Sequence, residues 1–195
     1  IIKNIILSKN RFAIIDNSKM EFWLKENGLS DEQIGSIISD IESNIAENKK
    51  IYELNFITGK INCAEVVLVE SGIGKVNAAR TTQILIDNFY IDAIINVGSA
   101  GSTNDELDIG DIVIGNKIIQ HDFDITAFGH PKGFISNVGQ YVESDATLIE
   151  KMKQTISKMQ DNEFKIKIGT IASGDIFCTE LKMKEKIRNK FEADA

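Results

Sequence analysis

An apolar run from Ala93 to Val97 leads into a glycine-bounded turn over residues 96–101 (Asn-Val-Gly-Ser-Ala-Gly), and this junction limits the folds open to the chain. The run is typical of a buried strand, and in an open α/β sheet ligands bind at the carboxyl ends of the strands. A second such turn, residues 71–75 (Ser-Gly-Ile-Gly-Lys), follows the strand predicted over residues 65–70. Together the two turns predict one ligand pocket, lined by backbone N–H groups and the Ser99 hydroxyl.

Composition favours a globular chain with one substantial core. Of its 195 residues, 43% are hydrophobic and 26% charged, so we expect a single domain over residues 1–195. The net charge of −7 disfavours nucleic acid as a partner, because nucleic-acid binders usually carry a basic face. The basic stretch 182–190 is interrupted by Glu185 and fits a solvated helix face.

Cysteine usage and the first residues bear on the compartment. Cys63 and Cys178 are too few and too far apart for a disulfide framework or a zinc site, which favours a reducing compartment. Residues 1–7 are apolar but too short to span a bilayer, and they could form a strand or be the remnant of a leader. We therefore expect a cytoplasmic protein with no membrane partner, and an exported form stays open.

The hydrophobic periodicity predicts strands that alternate with helices. Strands are predicted over residues 11–16, 52–58, 65–70, 93–97, 112–119 and 165–172. One helix is predicted over residues 19–26. A second follows a capping box at 30–33 and has isoleucines at helical spacing up to Ile45. Further helices are predicted over 75–88, 144–159 and 178–191. Residues 120–139 are expected to form a long ordered loop. The pattern indicates a mostly parallel α/β sheet with antiparallel insertions.

Two general nucleotide-binding motifs fail on the residues present. After Gly72 and Gly74, a dinucleotide fingerprint requires a third glycine where Asn77 stands. The Gly-x-x-x-x-Gly-Lys-Ser/Thr motif is also absent from the sequence. The glycine turns therefore call for a more specific explanation.

Five sequence blocks in register provide one. They are residues 71–75, 96–101, 110–113 (Gly-Asp-Ile-Val), 121–129 (His-Asp-Phe-Asp-Ile-Thr-Ala-Phe-Gly) and 173–177 (Ser-Gly-Asp-Ile-Phe). In this order and spacing the chain, from about residue 11 to 195, closely resembles the 5′-methylthioadenosine/S-adenosylhomocysteine nucleosidases of the purine nucleoside phosphorylase superfamily. The resemblance implies a three-layer α/β/α fold with a mixed, barrel-like central sheet, a homodimer, and no cofactor or metal.

The same resemblance implies a reaction and the residues that perform it. Water cleaves the N-glycosidic bond of an adenine nucleoside and releases adenine and a thioribose. Glu21 matches the family's water-activating glutamate, although residues 16–20 (Asp-Asn-Ser-Lys-Met) replace the family's glycine-led turn. A carboxylate there can orient water and offset positive charge that develops on the sugar.

Substrate-binding roles follow from the resemblance in the same way. Phe177 would stack on the purine, and the backbone of Cys178 would meet its polar edge. Ser99, Ala100 and Gly101 would lie beside the water and the sugar, and Ile73 against the 5′ substituent. Ile125 and Phe128 would enter the pocket of the partner subunit.

Three alternatives stay open at this point. A phosphorylase would place an arginine where neutral Asn96 stands, so water is the favoured nucleophile. A homologue that binds adenine nucleosides without cleaving them also fits these motifs. His121, Asp122 and Asp124 could suggest a metal site, but neighbours on an extended segment point to opposite faces.

The resemblance also bears on the end of the chain. After Ala195 the family continues into a strand with a Glu-Met-Glu motif and later a Ser-Asp pair, whose aspartate protonates the adenine. We therefore expect a longer parent protein, with a C-terminal strand and helix beyond residue 195. These 195 residues alone are expected to be a poor enzyme, because loss of a general acid typically costs about 10²–10⁴ in rate.

Overall fold

The computed structural model describes residues 12–16, 45–61, 64–157 and 164–195. The chain divides into two compact units, one within residues 2–99 and the other within residues 100–195. Within the described residues, none of the helices is both long enough and apolar enough to cross a lipid bilayer.

The first unit is a mixed sheet with one described helix. Its elements are β1 (Phe12–Asp16), β2 (Ile45–Ile51), β3 (Leu54–Ile61), β4 (Ala64–Glu70), α1 (Lys75–Asn88) and β5 (Ala93–Val97). The described strands lie in the order β2-β3-β4-β1-β5. Strand β1 pairs in parallel with β4 and β5, whereas β2, β3 and β4 form an antiparallel meander.

Burial of one apolar face holds this unit together. Phe56 and Val69 on the sheet are fully buried, and Leu85 of α1 is fully buried against the same cluster. The ring of Phe89, just after α1, lies 5.2 Å from the ring of Phe56. Helix α1 begins after Gly74, whose φ of +99° is a backbone conformation that glycine adopts without steric cost.

The second unit contains a smaller mixed sheet and two described helices. Its elements are β6 (Ile112–Gln120), β7 (Val142–Glu143), α2 (Ala146–Ile156), β8 (Ile166–Ser173) and α3 (Leu181–Phe191). Strand β6 lies between β7, which is antiparallel to it, and β8, which is parallel. The core consists of Ile119, Ile187, Phe191 and Ala193, with the half-buried Cys178 against it.

Most predicted elements are confirmed, and several boundaries are corrected. Helix α1 and strand β5 have the predicted bounds, and the strands predicted over 52–58 and 65–70 are present as β3 and β4, which pair as an antiparallel hairpin. The loop over residues 120–139 contains only a short 3-10 turn, Thr126–Phe128, and an isolated bridge between Ile135 and Gly139. Helix α2 begins later than predicted, because the Asp145 side chain accepts a hydrogen bond from the Leu148 N–H and ends the preceding loop.

Two predictions about secondary structure are wrong. Ile45, assigned to a helix by its spacing, begins strand β2, because the residues that follow it pair with β3. Cys178 does not begin α3, which starts at Leu181 after Glu180 in an extended conformation. The implied α/β class is confirmed, and within the described residues each unit has an open sheet that is not closed into a barrel. The helix predicted over 19–26 and the part of the second predicted helix before Ile45 lie outside the described residues.

Candidate functional site

In the first unit, three parallel strands end side by side. The register pairs Asp16 with Glu70 on one side and with Val97 on the other. Because neighbouring strands are about 4.8 Å apart, the ends of β4 and β5 are roughly 10 Å apart across β1. The two glycine turns therefore leave the sheet at the same edge, as their sequence positions predict.

The turn after β4 holds Ile73 out from the sheet. Ser71 is buried and its hydroxyl donates to the Gly72 carbonyl at 3.1 Å. The side-chain amide of Asn77, on the first turn of α1, donates to the Ile73 carbonyl at 2.8 Å. Ile73 itself is 87% exposed, so its apolar side chain is displayed at the carboxyl edge of the sheet.

The turn after β5 is also open. Asn96 and Ser99 are exposed at the carboxyl end of the strand. In the second unit, Ala100 and Gly101 follow in sequence and are likewise exposed. Among the described residues, no atom lies within 4 Å of the point where a Cβ on Gly101 would stand.

The second sheet has its own aligned strand ends, built around His121. Strands β6 and β8 end at the pair Gln120 and Ser173, and the His121 N–H donates to the Ser173 carbonyl at 3.0 Å. The His121 side chain is buried against Gly174. One carboxylate oxygen of Asp122 accepts from the Asp175 N–H at 2.7 Å. Residues 121 and 122 thus fix the turn that follows β8.

That turn presents Phe177. Its side chain is 91% exposed, and the neighbouring Ile176 is 56% exposed. The next residue, Cys178, is half-buried and packs against the core of the unit. Phe177 is therefore an outward aromatic ring on a turn anchored at both ends, by Asp122 before it and by Cys178 after it.

A second exposed aromatic ring, Phe128, lies in the loop that follows β6. One carboxylate oxygen of Asp124 accepts hydrogen bonds from the N–H and the hydroxyl of Thr126, at 3.0 and 2.7 Å. Chiefly through the hydroxyl bond, these contacts hold the pKa of Asp124 below its usual value. The capped 3-10 turn leaves Phe128 82% exposed and Ile125 half-buried.

The Gly110–Asp111 block makes structural contacts. The Asp111 carboxylate accepts from the Asp108 N–H at 2.8 Å and from the Lys165 N–H at 2.7 Å. These two backbone bonds, the first of them the stronger influence, lower the pKa of Asp111. Asp111 thereby joins the start of β6 to the start of β8, at the opposite end of the sheet from Phe177.

The structure therefore assembles the predicted residues in separate groups. Ile73 and Ser99 share an edge of the first sheet, while Phe177 and Cys178 follow the second. Glu21 lies outside the described residues. In the part of the chain that is described, no three His, Cys, Asp or Glu side chains are placed to hold a metal ion.

Sequence reasoning missed the residues that support the turns. Asp124 and Thr126 form a local side-chain cap whose Asp-x-Thr pattern is visible in the sequence. By contrast, the contact of His121 with Gly174 joins residues 53 positions apart, and no local pattern indicates it.

We expect Gly174→Ala to disturb the turn that carries Phe177. The added Cβ would overlap His121 Nε2 and lie 2.9 Å from Cδ2 and Cε1 of the same ring. Because this ring is buried, the overlap can be removed only if the turn or the ring moves, which should lower the free energy of unfolding by about 2 kcal/mol. Chemical denaturation measures this loss of stability.

A double-mutant cycle identifies the cause of that loss. In a His121→Ala background the ring is absent, so Gly174→Ala should cost less than about 0.5 kcal/mol. An equal loss in both backgrounds would show that the His121 contact is not the constraint on Gly174.

Most of the chain is similar to known proteins. A family model described as the phosphorylase superfamily matches residues 28–195. The chain belongs to the phosphorylase superfamily. A curated protein from Geobacillus sp. named 5′-methylthioadenosine/S-adenosylhomocysteine nucleosidase is 38% identical over 164 residues, 84% of this chain and 69% of that protein. A nucleosidase of the same name from Staphylococcus epidermidis is 40% identical over 141 residues, 72% of this chain and 60% of that protein.

Solved structures are also similar to this chain. A Helicobacter pylori 5′-methylthioadenosine/S-adenosylhomocysteine nucleosidase with butyl-thio-DADMe-Immucillin-A has a TM-score of 0.80 and 27% identity. The match covers 95% of this chain and 73% of that chain. A futalosine hydrolase mutant from the same organism has a TM-score of 0.78 and 28% identity, covering 95% of this chain and 78% of that chain. The resemblance drawn from the five sequence blocks is thereby confirmed.

Proposed function

We propose that the protein to which this chain belongs hydrolyses the N-glycosidic bond of 5′-methylthioadenosine and S-adenosylhomocysteine, giving adenine and the 5-thioribose product. The observation that carries the proposal is the 38% identity to a nucleosidase of that name over 164 residues. The chain spans 69% of that relative and 60% of the staphylococcal one, so the activity is proposed for the complete protein.

The site residues have proposed roles in this reaction. Glu21 positions the attacking water, and Ser99, Ala100 and Gly101 bind the sugar and that water. Ser99 is exposed at a strand end, which suits a hydroxyl that must reach a ligand. Ile73, with 87% of its side chain exposed, is an apolar surface for the 5′-thio substituent.

The choice of water over phosphate rests on the charge of the strand-end turn. Phosphorylases need cationic donors for the phosphate dianion, and arginine is the strongest of them because it donates two parallel hydrogen bonds. Asn96 stands exposed at that position and carries no charge. The nearby strand end carries the exposed carboxylate Glu70, which disfavours an anion further.

A homodimer is part of the proposal. Phe128 is 82% exposed on a turn that Asp124 holds in place. We propose that Phe128 and Ile125 enter the substrate pocket of a second copy, where the large apolar ring would be covered. We also propose that residues 1–195 belong to a single nucleoside phosphorylase-like domain. A cytoplasmic location is proposed as well, because two cysteines give no disulfide framework.

The decisive assay mixes the complete protein with methylthioadenosine and follows free adenine and the sugar product, with and without phosphate. Release at the same rate in both, with a free thioribose, supports the nucleosidase. Release that requires phosphate and yields a sugar 1-phosphate identifies a phosphorylase instead. Binding without release identifies a non-catalytic adenine-nucleoside module.

We expect Phe177→Ala to weaken binding of the base. Stacking of a base on an aromatic ring contributes about 1–3 kcal/mol, so KM for methylthioadenosine and the inhibition constant of adenine should both rise roughly 5- to 150-fold. Because the ring is 91% exposed, the melting temperature should hardly change.

The matched control for this substitution is Tyr90→Ala, which removes another aromatic ring, 73% exposed, after α1. It should leave both constants unchanged. An unaltered adenine inhibition constant in Phe177→Ala would remove Phe177 from the proposed purine site.

A further inference from the structure

Asp194 lies at the centre of a buried polar cluster in the second unit. Only 7% of its side chain is exposed. One carboxylate oxygen accepts from Asn104 Nδ2 at 2.9 Å and from Arg188 Nη1 at 2.9 Å, and Lys167 Nζ lies 3.3 Å away. The other oxygen accepts from the Thr170 N–H at 3.2 Å. Every one of these partners is a hydrogen-bond donor, so the cluster is matched to an ionised carboxylate.

The ionised state of Asp194 is consistent with these contacts. Burial raises the pKa of a carboxyl group, but hydrogen bonds from Asn104 and Lys167 outweigh burial here, so the pKa of Asp194 lies below its usual value. The group therefore carries its charge at neutral pH, when the proposed enzyme would work.

The cluster holds one particular segment of the chain, residues 102–104. Beyond the Asn104 contact, the Thr103 N–H donates to the Asp194 carbonyl at 3.0 Å, and the Thr103 hydroxyl donates to the Ala193 carbonyl at 2.6 Å. Asp194 is itself tied to β8, since its N–H donates to the Thr170 carbonyl at 2.8 Å. Residues 103 and 104 are thus bonded to a segment that is fixed on the second sheet.

In sequence, this held segment begins directly after residues 100–101, which are proposed to bind the sugar. Gly101 precedes Thr103 by two residues, and no atom of the described residues lies within 4 Å of the point where a Gly101 Cβ would stand. The position of this exposed backbone therefore depends on the residues that flank it, which in the second unit are residues 102–104.

From this we infer that Asp194 is a positioning residue for the backbone of residues 100–101, acting through Thr103 and Asn104. The inference rests on the proposed function, because that function makes these residues part of a sugar site. Asp194 touches no substrate in this role. It sets where the backbone of residues 100–101 stands when the nucleoside binds. A misplacement of about 1 Å can cost roughly 10²-fold in rate, so the carboxylate should matter for catalysis.

The test compares Asp194→Asn with a control, Glu106→Gln, in the complete protein. Asparagine has the shape of aspartate, but it lacks the negative charge and has one acceptor oxygen in place of two. With that oxygen facing Asn104 and Arg188, its NH₂ group faces the Thr170 N–H, so two donors meet there. Glu106 is 81% exposed and meets Lys167 Nζ only at 3.5 Å, so its substitution leaves the contacts of residues 103 and 104 intact. Thr103→Val is the milder second variant, because it removes one hydroxyl and keeps the charge of Asp194.

Two readouts separate positioning from a general loss of stability. In Asp194→Asn, kcat/KM for methylthioadenosine should fall about 10- to 100-fold, whereas the inhibition constant of adenine, which lacks the sugar, should stay within twofold. Thr103→Val should lower kcat/KM about threefold with the same unchanged adenine constant. A parallel loss of adenine binding in both variants would reduce Asp194 to a purely structural role and overturn the inference.

Amide hydrogen exchange tests, independently of catalysis, whether Asp194 holds the backbone at Thr103. The Thr103 amide should exchange at least about tenfold faster in Asp194→Asn than in Glu106→Gln, because its acceptor segment is released. Unchanged exchange at Thr103 overturns the inference even if activity falls. If the unaltered protein releases no adenine but the exchange result holds, the proposed function fails while the Asp194 contact to this segment stands.

Discussion

Glu21→Gln is expected to lower kcat for adenine release from methylthioadenosine by about 10²–10⁴-fold, the usual contribution of a positioned general base. Glutamine preserves the length and hydrogen-bonding shape of the side chain, but it cannot take a proton from water or offset positive charge on the sugar. The KM should change little, because the substitution leaves the proposed purine and sugar contacts of the nucleoside unaltered. Steady-state kinetics with adenine detection measures both constants.

Glu26→Gln is the matched control, since it makes the same chemical change five residues further along the chain. It should leave kcat within twofold. Because residues 16–20 depart from the family's turn, the position of the water-activating glutamate is the part of the proposal that this pair of variants tests most sharply. Equal kcat values for Glu21→Gln and the unaltered protein would show that Glu21 does not activate the water and that another carboxylate must do so.

Gly169→Ala is expected to cause the largest loss of stability, about 3–5 kcal/mol, through overpacking and disruption of a buried charge. A Cβ at this position, in the middle of β8, would overlap Asp194 Oδ2 and lie 2.7 Å from Cγ and 3.3 Å from Cβ of the same residue. The Asp194 side chain has little room to retreat, since Asn104 and Arg188 hold its carboxylate at 2.9 Å each. For a chain of this size the melting temperature should fall by roughly 10 °C.

The control is Gly101→Ala, which makes the same change where a Cβ would meet no atom of the described chain within 4 Å. Its backbone is not in the left-handed region, so thermal unfolding should be shifted by less than about 2 °C. If Gly169→Ala has the same melting temperature as Gly101→Ala, the close approach of Asp194 to the β8 backbone does not constrain the folded state.

Elements with strong local patterns could be predicted from the sequence, and one without such a pattern could not. Helix α1 follows a glycine turn, and β5 is an uninterrupted apolar run, so the predicted bounds of both match the observed ones. Strand β2, with the sequence Ile-Ala-Glu-Asn-Lys-Lys-Ile, has no alternation of apolar and polar residues. It is a strand because its backbone pairs with β3, and such pairing overrides weak local propensity.

The candidate site shows the same division. Its glycine turns and Phe177 belong to short motifs at strand ends, which a sequence can reveal. Their supports join distant positions: His121 lies against Gly174, and Asn104 bonds to Asp194 across 90 residues. A single sequence contains no signal for such pairs, since each residue has an ordinary local role.

The charges of strand β2 also have a consequence for the solubility of the protein. It is the outermost described strand on its side of the first sheet, and residues Glu47 to Lys50 are exposed. Charged side chains on an edge strand hinder pairing with another sheet. With Glu47, Lys49 and Lys50 replaced by valine, the same edge would be apolar and uncharged while the other strands of the sheet stayed in place. Such a variant should self-associate through β2, so the charged residues of this strand protect the protein against aggregation.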